Sequence, residues 1–340
     1  MNEEKLRQAV NNRRNTFPEH GIRVPAEVMQ TFISALFLRA GLSDDHAGLM
    51  GRILTGNDLR CVFSHGTSAC QQYLGLLRDG GINPRPNIKV VHEAPGALVL
   101  DGDGGLGYFP CWCGTEQLIA KAKENGSAVL TTRNHHHFGA AGNYTRLAVG
   151  HGCIGLAASN HRNPREPDQP IYSTITSSPL SIAIPTGEQP PLILDMGGSI
   201  IGFNEDDFAA NPTAFFKAFG LSNVIQVLGG AVAGIYLEHC VEGPWIANQG
   251  AFIAVFDTAH LAGEGEVAMR VDQYVGEARR MQPVPGTDYA ELPGGVEWSW
   301  ERENRKEGIP VGDKHRALLE ELATEWGVEV PFGAWEGTAF

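Results

Sequence analysis

The chain is poor in positive charge: 26 Lys and Arg stand against 39 Asp and Glu, for a net charge of −13. A nucleic-acid binder needs a basic face, and docking on anionic lipid needs a basic cluster, so neither partner is expected. An apolar leader is also missing. Met1–Arg14 is polar and charged, so no secretory signal is expected. The longest apolar stretch, Val224–Tyr236, is interrupted by Gln226 and several glycines and falls short of the ~20 residues of a spanning helix. The six cysteines include no CxxC pair, and Cys111-x-Cys113 is not a zinc-knuckle spacing. They read as reduced thiols of a cytoplasmic protein, mostly in the core. There is no internal repeat, low-complexity tract or long linker. What is abundant is glycine, 42 residues spread through apolar segments, which implies tight turns and close backbone approaches. At 340 residues the chain has length for about two domains, with no need of a disulfide or metal staple.

Periodicity divides the chain into three stretches. Residues 1–90 read as helical. Val28, Phe32, Ala35, Leu36 and Leu38 recur near helical spacing, and Gly41 stops that helix. Ser43 is a good N-cap for the next helix, with Asp44 and Asp45 in its first turn and Ala47, Met50, Ile53 and Leu54 on its buried face. Gly81–Pro86 is a loop by composition. Residues 91–262 read as mixed α/β. Strands are expected at 97–100, 128–131, 154–157, 181–184, 192–194 and 252–256, and helices at 116–123 and 215–238. Residues 263–340 return to helix at 264–280, 297–307 and 314–326. The two helical ends are expected to pack as one discontinuous domain.

Several motifs could carry chemistry. Gly102-Asp-Gly104-Gly-Leu-Gly107 matches G-x-G-x-x-G after a strand-like run and before a helix. The dinucleotide fingerprint also needs a second strand ending in an acid, and the next strand ends in Thr-Arg-Asn. The competing reading is a glycine-shaped turn that lets a helix pack close to a strand. His135-His136-His137 ends a predicted strand, where alternation keeps the three from facing one way. No H-x-x-x-H or carboxylate partner lies nearby, so no metal is expected. One of the three is a candidate polar site residue, against a purely structural role. His65, in Ser64-His65-Gly66, can give or take a proton near neutrality, or simply cap or pack. Asp195 ends an apolar strand, where a buried carboxylate would orient a histidine, or where an acid could cap a helix. Lys217 is a lone cation in an apolar setting, suited to a phosphate or carboxylate or to snorkelling.

Taken in order, S-H-G at 64–66, YLGLLRDGGINPRPNIKVV at 73–91, VLDGDGGLG at 99–107, IAKAKENG at 119–126, NHHHFGAAGNY at 134–144, IGLAASN at 154–160, SPLSIAIP at 178–185 and PLILDM at 191–196, with LPGG and KEGIPV near 292–311, resemble the malate/L-lactate dehydrogenase family of the sulfolactate and diketogulonate reductase type. This family is distinct from the Rossmann-type lactate dehydrogenases. The resemblance implies a mixed-sheet α/β fold that is not a Rossmann fold, with a helical domain built from N- and C-terminal segments, and a homodimer. It implies hydride transfer between NAD or NADP and a 2-oxo acid, imine or related carbonyl. His65 would be the acid/base, Asp195 its partner, and His137 an active-site histidine. Arg60, Ser64 and His136 would lie at the substrate, and Asn160, Ser178, Lys217 and Gly294 at the cofactor. Hydride addition leaves an atom in need of a proton, which a histidine supplies.

The sequence also departs from that pattern. Ala69 stands where the family has an arginine that would hold a substrate carboxylate as a bidentate pair, and Gln72 stands near a second such position. His136 replaces the asparagine of N-H-F-G, and Thr176-Ser-Ser-Pro179 replaces G-T-N-P. Only GGSIIGFNEDDFAANPTAFF separates Asp195–Met196 from Lys217. The alternative is therefore a non-redox isomerase, tautomerase or lyase that uses His65 and Asp195 without a nicotinamide, or a silent binding protein, since fold does not fix function.

Overall fold

The structure is a computed structural model that describes residues 17–240, 244–245 and 247–340; the Met1–Arg14 stretch, expected to carry no leader, lies outside them. The chain divides into two compact units, Met1–Arg85 with Gln273–Phe340 and Pro86–Asp272.

In the first unit, helices α1 (Ala26–Arg39) and α2 (Asp44–Leu59) pack together. Gly41, at φ 95°, turns the chain between them, and Ser43 Oγ accepts the His46 N–H at 3.3 Å, so the expected stop and cap are both present. The α2 face of Ala47, Met50, Ile53 and Leu54 is buried as expected. The α1 stripe is rotated: it consists of Met29, Phe32, Ile33, Leu36 and Phe37, and Leu38 is exposed. That set is the i, i+3, i+4, i+7, i+8 pattern of one apolar face. The helical reading of both chain ends missed two short strands. β1 (Gly21–Val24) pairs antiparallel with β9 (Ile309–Gly312), from Gly21 opposite Gly312 to Val24 opposite Ile309. Four residues are too few for alternation to register. Helices α3 (Cys70–Arg78), α9 (Gly295–Glu307) and α10 (Asp313–Trp326) also belong to this unit. Asn304, fully buried on α9, donates to the Leu59 carbonyl at 2.9 Å and accepts from Arg23 at 3.2 Å, which ties α2, β1 and α9 together.

The second unit is built on a seven-stranded mixed sheet of β2 (Lys89–Ala94), β3 (Ala97–Asp101), β4 (Ser127–His135), β5 (Cys153–His161), β6 (Pro179–Ile184), β7 (Leu192–Gly197) and β8 (Gln249–Asp257), in the order β2-β3-β4-β8-β5-β6-β7. Only β3 and β4 are parallel; every other neighbouring pair is antiparallel. β2 escaped the sequence reading because it is an edge strand exposed along nearly its whole length, with no buried face to create a pattern. Helix α4 (Tyr108–Asn125) joins β3 to β4 and starts well before the expected residue 116, because Pro110 falls in its first turn, where a missing N–H costs nothing. Leu98, Leu100, Leu118, Leu130, Phe138, Tyr144, Ile253 and Val255 form the core between this helix, α5 (Gly142–Val149) and the sheet.

Helix α6 (Glu205–Ala210) precedes α7 (Pro212–Gln226), which runs on through a π-helical turn, Val227–Val232. Asn211 caps α7 by accepting the Ala214 N–H, and Pro212 opens its first turn. The helix ends earlier than the expected Glu238, where Gly234 takes φ 84°. From Pro212 to Val232 the helix has 21 residues, and by length and composition alone it is long and apolar enough to cross a membrane, a test that an apolar core helix also passes. Gly229 and Gly230 let its last turns lie directly on Ser159 and Asn160 of β5. α8 (Glu266–Ala278) contains the second unit boundary.

The G-x-G-x-x-G turn links β3 to α4, the place a dinucleotide fingerprint would occupy, yet its amides face the protein. Gly102 N–H donates to Arg133 O at 2.9 Å, Gly104 N–H to Asn134 O at 3.0 Å, and Gly107 N–H to His136 O at 3.2 Å; His136 N–H returns a bond to Gly105 O at 2.8 Å. A phosphate needs free N–H groups, and these are engaged with the end of β4. The glycines serve close approach, because a β-carbon at 107 would stand 2.5 Å from His135 Nδ1 and 2.7 Å from His136 O. Gly107→Ala is expected to lower stability by about 1–3 kcal/mol, read from urea unfolding, while leaving nucleotide affinity unchanged in the folded protein.

Candidate functional site

His65 lies on a pair of 3-10 turns, Phe63–His65 and Thr67–Ala69, that follow α2. Its amide donates to Val62 O at 3.0 Å, and its carbonyl accepts the Asn57 side-chain N–H at 2.7 Å. The half-buried ring has Ser64 Oγ 3.0 Å from its Nδ1, so Ser64 bears on the orientation of that ring. Arg60, expected at the substrate, is engaged by its neighbours in the protein. Its guanidinium donates to Asn57 Oδ1 at 2.8 Å and pairs with Glu301 at 3.4 Å, with only 11% of the side chain exposed. It braces the turn through Asn57 and does not present an open fork to a carboxylate. Ala69 and Gln72 close the turn and begin α3 with no cation at either position. Asn57 was missed by the sequence reading. The available signal was an amide on the buried face of α2, since a buried polar group needs a partner.

The other candidates belong to the second unit. β4 does not alternate through its histidines, because Asn134 takes φ 54°, and Asp101 Oδ1 holds its side chain at 2.7 Å. The strand ends at His135, so strand alternation does not govern where His137 faces. His135 is fully buried, 2.9 Å from Thr132 Oγ1, and its Nδ1 is 2.7 Å from the His136 carbonyl. Burial pushes its pKa down to about 4, so it stays neutral and structural. His136 and His137 lie past the strand, half-buried in the loop that leads to α5.

Asp195, on β7, is exposed and not buried as expected. Its Oδ2 accepts the Gly142 N–H at 3.0 Å. It therefore caps α5, whose own N-cap, Ala141, has no side chain to do so. This joins Asp195 to the segment that begins at His137. Asn160 and Ser178, at the ends of β5 and β6, are buried and bonded to each other at 2.6 Å, with Thr176 Oγ1 2.7 Å from Ser178 Oγ. Lys217 is exposed on α7. Gly294 belongs to the first unit, where its φ of 92° starts α9. Within the second unit, then, the structure brings Asn160 and Ser178 together.

The six cysteines are all free and five are buried. Burial pushes Cys111 up to about 12 and Cys113 up to about 11, so neither is a thiolate nucleophile near neutrality. Among the described residues no three His, Cys, Asp or Glu side chains are grouped to hold a metal ion.

A two-unit α/β chain with a mixed sheet, a dinucleotide-like turn closed on itself and a braced histidine turn is the frame of a distinctive dehydrogenase class. The family model described as malate/L-lactate dehydrogenase matches residues 24–205 and 204–320, and the chain belongs to this family. It is 27% identical to a malate dehydrogenase of Pyrococcus horikoshii, covering 92% of this chain and 97% of that relative. It is 26% identical to an L-sulfolactate dehydrogenase of Methanocaldococcus jannaschii over 92% of this chain and 97% of that one. The solved structure of malate dehydrogenase from Pyrococcus horikoshii superimposes with a TM-score of 0.81 at 27% identity, covering 93% of this chain and 99% of that chain.

Asp195→Ala deprives α5 of its cap and is expected to cost about 0.5–2 kcal/mol. Asp195→Asn keeps an acceptor oxygen and is expected to cost much less; urea midpoints of the two variants check the difference.

Proposed function

We propose that this chain transfers a hydride between NADH or NADPH and a small 2-oxo acid or related carbonyl or imine, with His65 as the proton donor. The observation that carries this reading is the family match from residue 24 to residue 320, which includes the S-H-G turn on a rigid brace. The relatives named above are a malate and an L-sulfolactate dehydrogenase, which supports a 2-hydroxy/2-oxo acid couple as the substrate class.

The residues fit a nicotinamide cofactor only in part. The 102–107 turn does not suit a pyrophosphate, because its amides are engaged. Lys217 is an exposed cation suited to a phosphate, and the Asn160–Ser178 pair offers polar groups at adjacent strand ends. When bound, the nicotinamide supplies the hydride. The protein's own part is proton delivery. A histidine titrates in the range where it can hold a proton at rest and give it up as the carbonyl oxygen gains charge. Ser64, at Nδ1, favours one ring orientation, so Nε2 is the position from which the proton leaves. His137 and Asp195 are the further candidates for substrate contact and charge compensation.

The non-redox reading draws on Ala69 and on the engaged Arg60, which leave the substrate carboxylate without the expected guanidinium. One measurement separates the readings, and two variants test the site. Calorimetry of the full-length protein is expected to give micromolar binding of NADH or NADPH, and no binding at millimolar cofactor sinks the reductase reading. His65→Ala is expected to lose about 10²–10⁴-fold in turnover, the usual contribution of a positioned acid; a rate within a few-fold of the parent refutes the assignment. Ala69→Arg is expected to raise turnover of 2-oxo acids, with no gain meaning that the pocket differs by more than this residue.

A further inference from the structure

The turn that carries His65 rests on a buried polar group the mechanism above does not use. Asp58, on the inner face of α2, is fully buried. Its two carboxylate oxygens each lie 3.2 Å from the Thr67 amide, and Oδ2 accepts the Thr67 hydroxyl at 2.5 Å. On the far side of that hydroxyl, 2.8 Å away, stands Nε2 of His315, from the first turn of α10. The residue between His65 and Thr67 is Gly66, and a β-carbon there would fall on Asp58 Oδ1. Asp58 can reach Thr67 only past a glycine.

A threonine hydroxyl has one proton. If it donates to the Asp58 carboxylate, only its lone pairs face His315, and Nε2 must carry the hydrogen. Each member then has one role: His315 donates to Thr67, and Thr67 donates to Asp58. Burial holds the His315 pKa down at about 4, so its ring is neutral and has a single N–H to place. Burial raises the Asp58 carboxyl to about 7 even against the Thr67 hydroxyl and amide, which favour its charged form. The chain of bonds links α2, the second 3-10 turn and α10, and it fixes the backbone two residues beyond His65. Asn57, the neighbour of Asp58, fixes the His65 carbonyl from the same helix.

We propose that Asp58, Thr67 and His315 form a positioning relay that sets the orientation of the His65 ring. Asp58 and Thr67 are fully buried, and the relay acts through the backbone of the turn. The proposal rests on the reading of His65 as the working histidine, but the effect on its ring can be seen without turnover.

The test uses the full-length protein with ¹⁵N-labelled histidine, the His65 ring signals being assigned with His65→Gln. Thr67→Ser keeps the hydroxyl and is expected to retain the parent's His65 signals. Thr67→Val keeps the volume and loses the hydroxyl, and is expected to displace or broaden them while the circular dichroism spectrum is unchanged. His315→Phe removes the outer donor and keeps a ring; the same displacement is expected, and it decides the matter if Thr67→Val fails to fold. Unchanged His65 signals in the folded variants overturn the proposal, as does an equal displacement in Thr67→Ser. Retained turnover in His65→Ala would refute the proton-donor reading alone and would leave these spectra equally legible.

Discussion

The second unit depends on how the backbone of residues 102–107 is satisfied. Its amides and carbonyls bond to residues 133–137, stitching the start of α4 to the end of β4. A buried backbone N–H must find a partner, and here the partner is the next strand. That choice has consequences in both directions along the chain. It closes the turn to phosphate, although the glycine spacing and the strand–turn–helix setting match a nucleotide site. It also fixes the kink at Asn134, so that β4 buries one histidine and releases the next two into a loop. Gly102 and Gly107 are required because a β-carbon at either would force the two segments apart.

The first unit meets a similar demand with side chains. The loop after α2 needs polar groups inside the protein, and α2 supplies them from its buried face, with Asn57 to the His65 carbonyl and Asp58 to Thr67. Arg60 and Asn304 complete the bracing from α2 and α9. Such polar contacts contribute modestly to net stability, because they replace bonds to water. Their effect is geometric: they leave the His65 turn few alternative conformations. The missing cation at residue 69 and the inward commitment of Arg60 belong to the same region.

Much of the fold was legible from residue patterns, and the exceptions have definite causes. Ser43, Gly41 and the α2 stripe were readable because caps, stops and helical periodicity are local. The central strands were readable as short apolar runs. β1, β9 and β2 were not: the first two are too short, and the third is an exposed edge. α4 starts at Tyr108, well before the expected residue 116, with Pro110 in its first turn. For the site, the resemblance pointed to His65, Asp195 and His137 before any geometry was known. It could not show that Arg60 is held by Glu301 of a distant segment, or that Asp195 caps a helix 53 residues away in sequence.

The sequence alone determined the class: the ordered set of motifs, the alternation of strands and helices, and the chemical types available at 64–66, 134–144 and 191–196. Tertiary structure decided which of those groups are committed to the protein itself. The guanidinium of Arg60 is taken by Glu301 and the amides of Gly102, Gly104 and Gly107 by residues 133–137, while the ring of His135 and the carboxyl of Asp58 are taken nearer by, at Thr132 and Thr67. A side chain's chemistry is written in its residue type, but whether it is free to act depends on which distant donors and acceptors the fold brings to it.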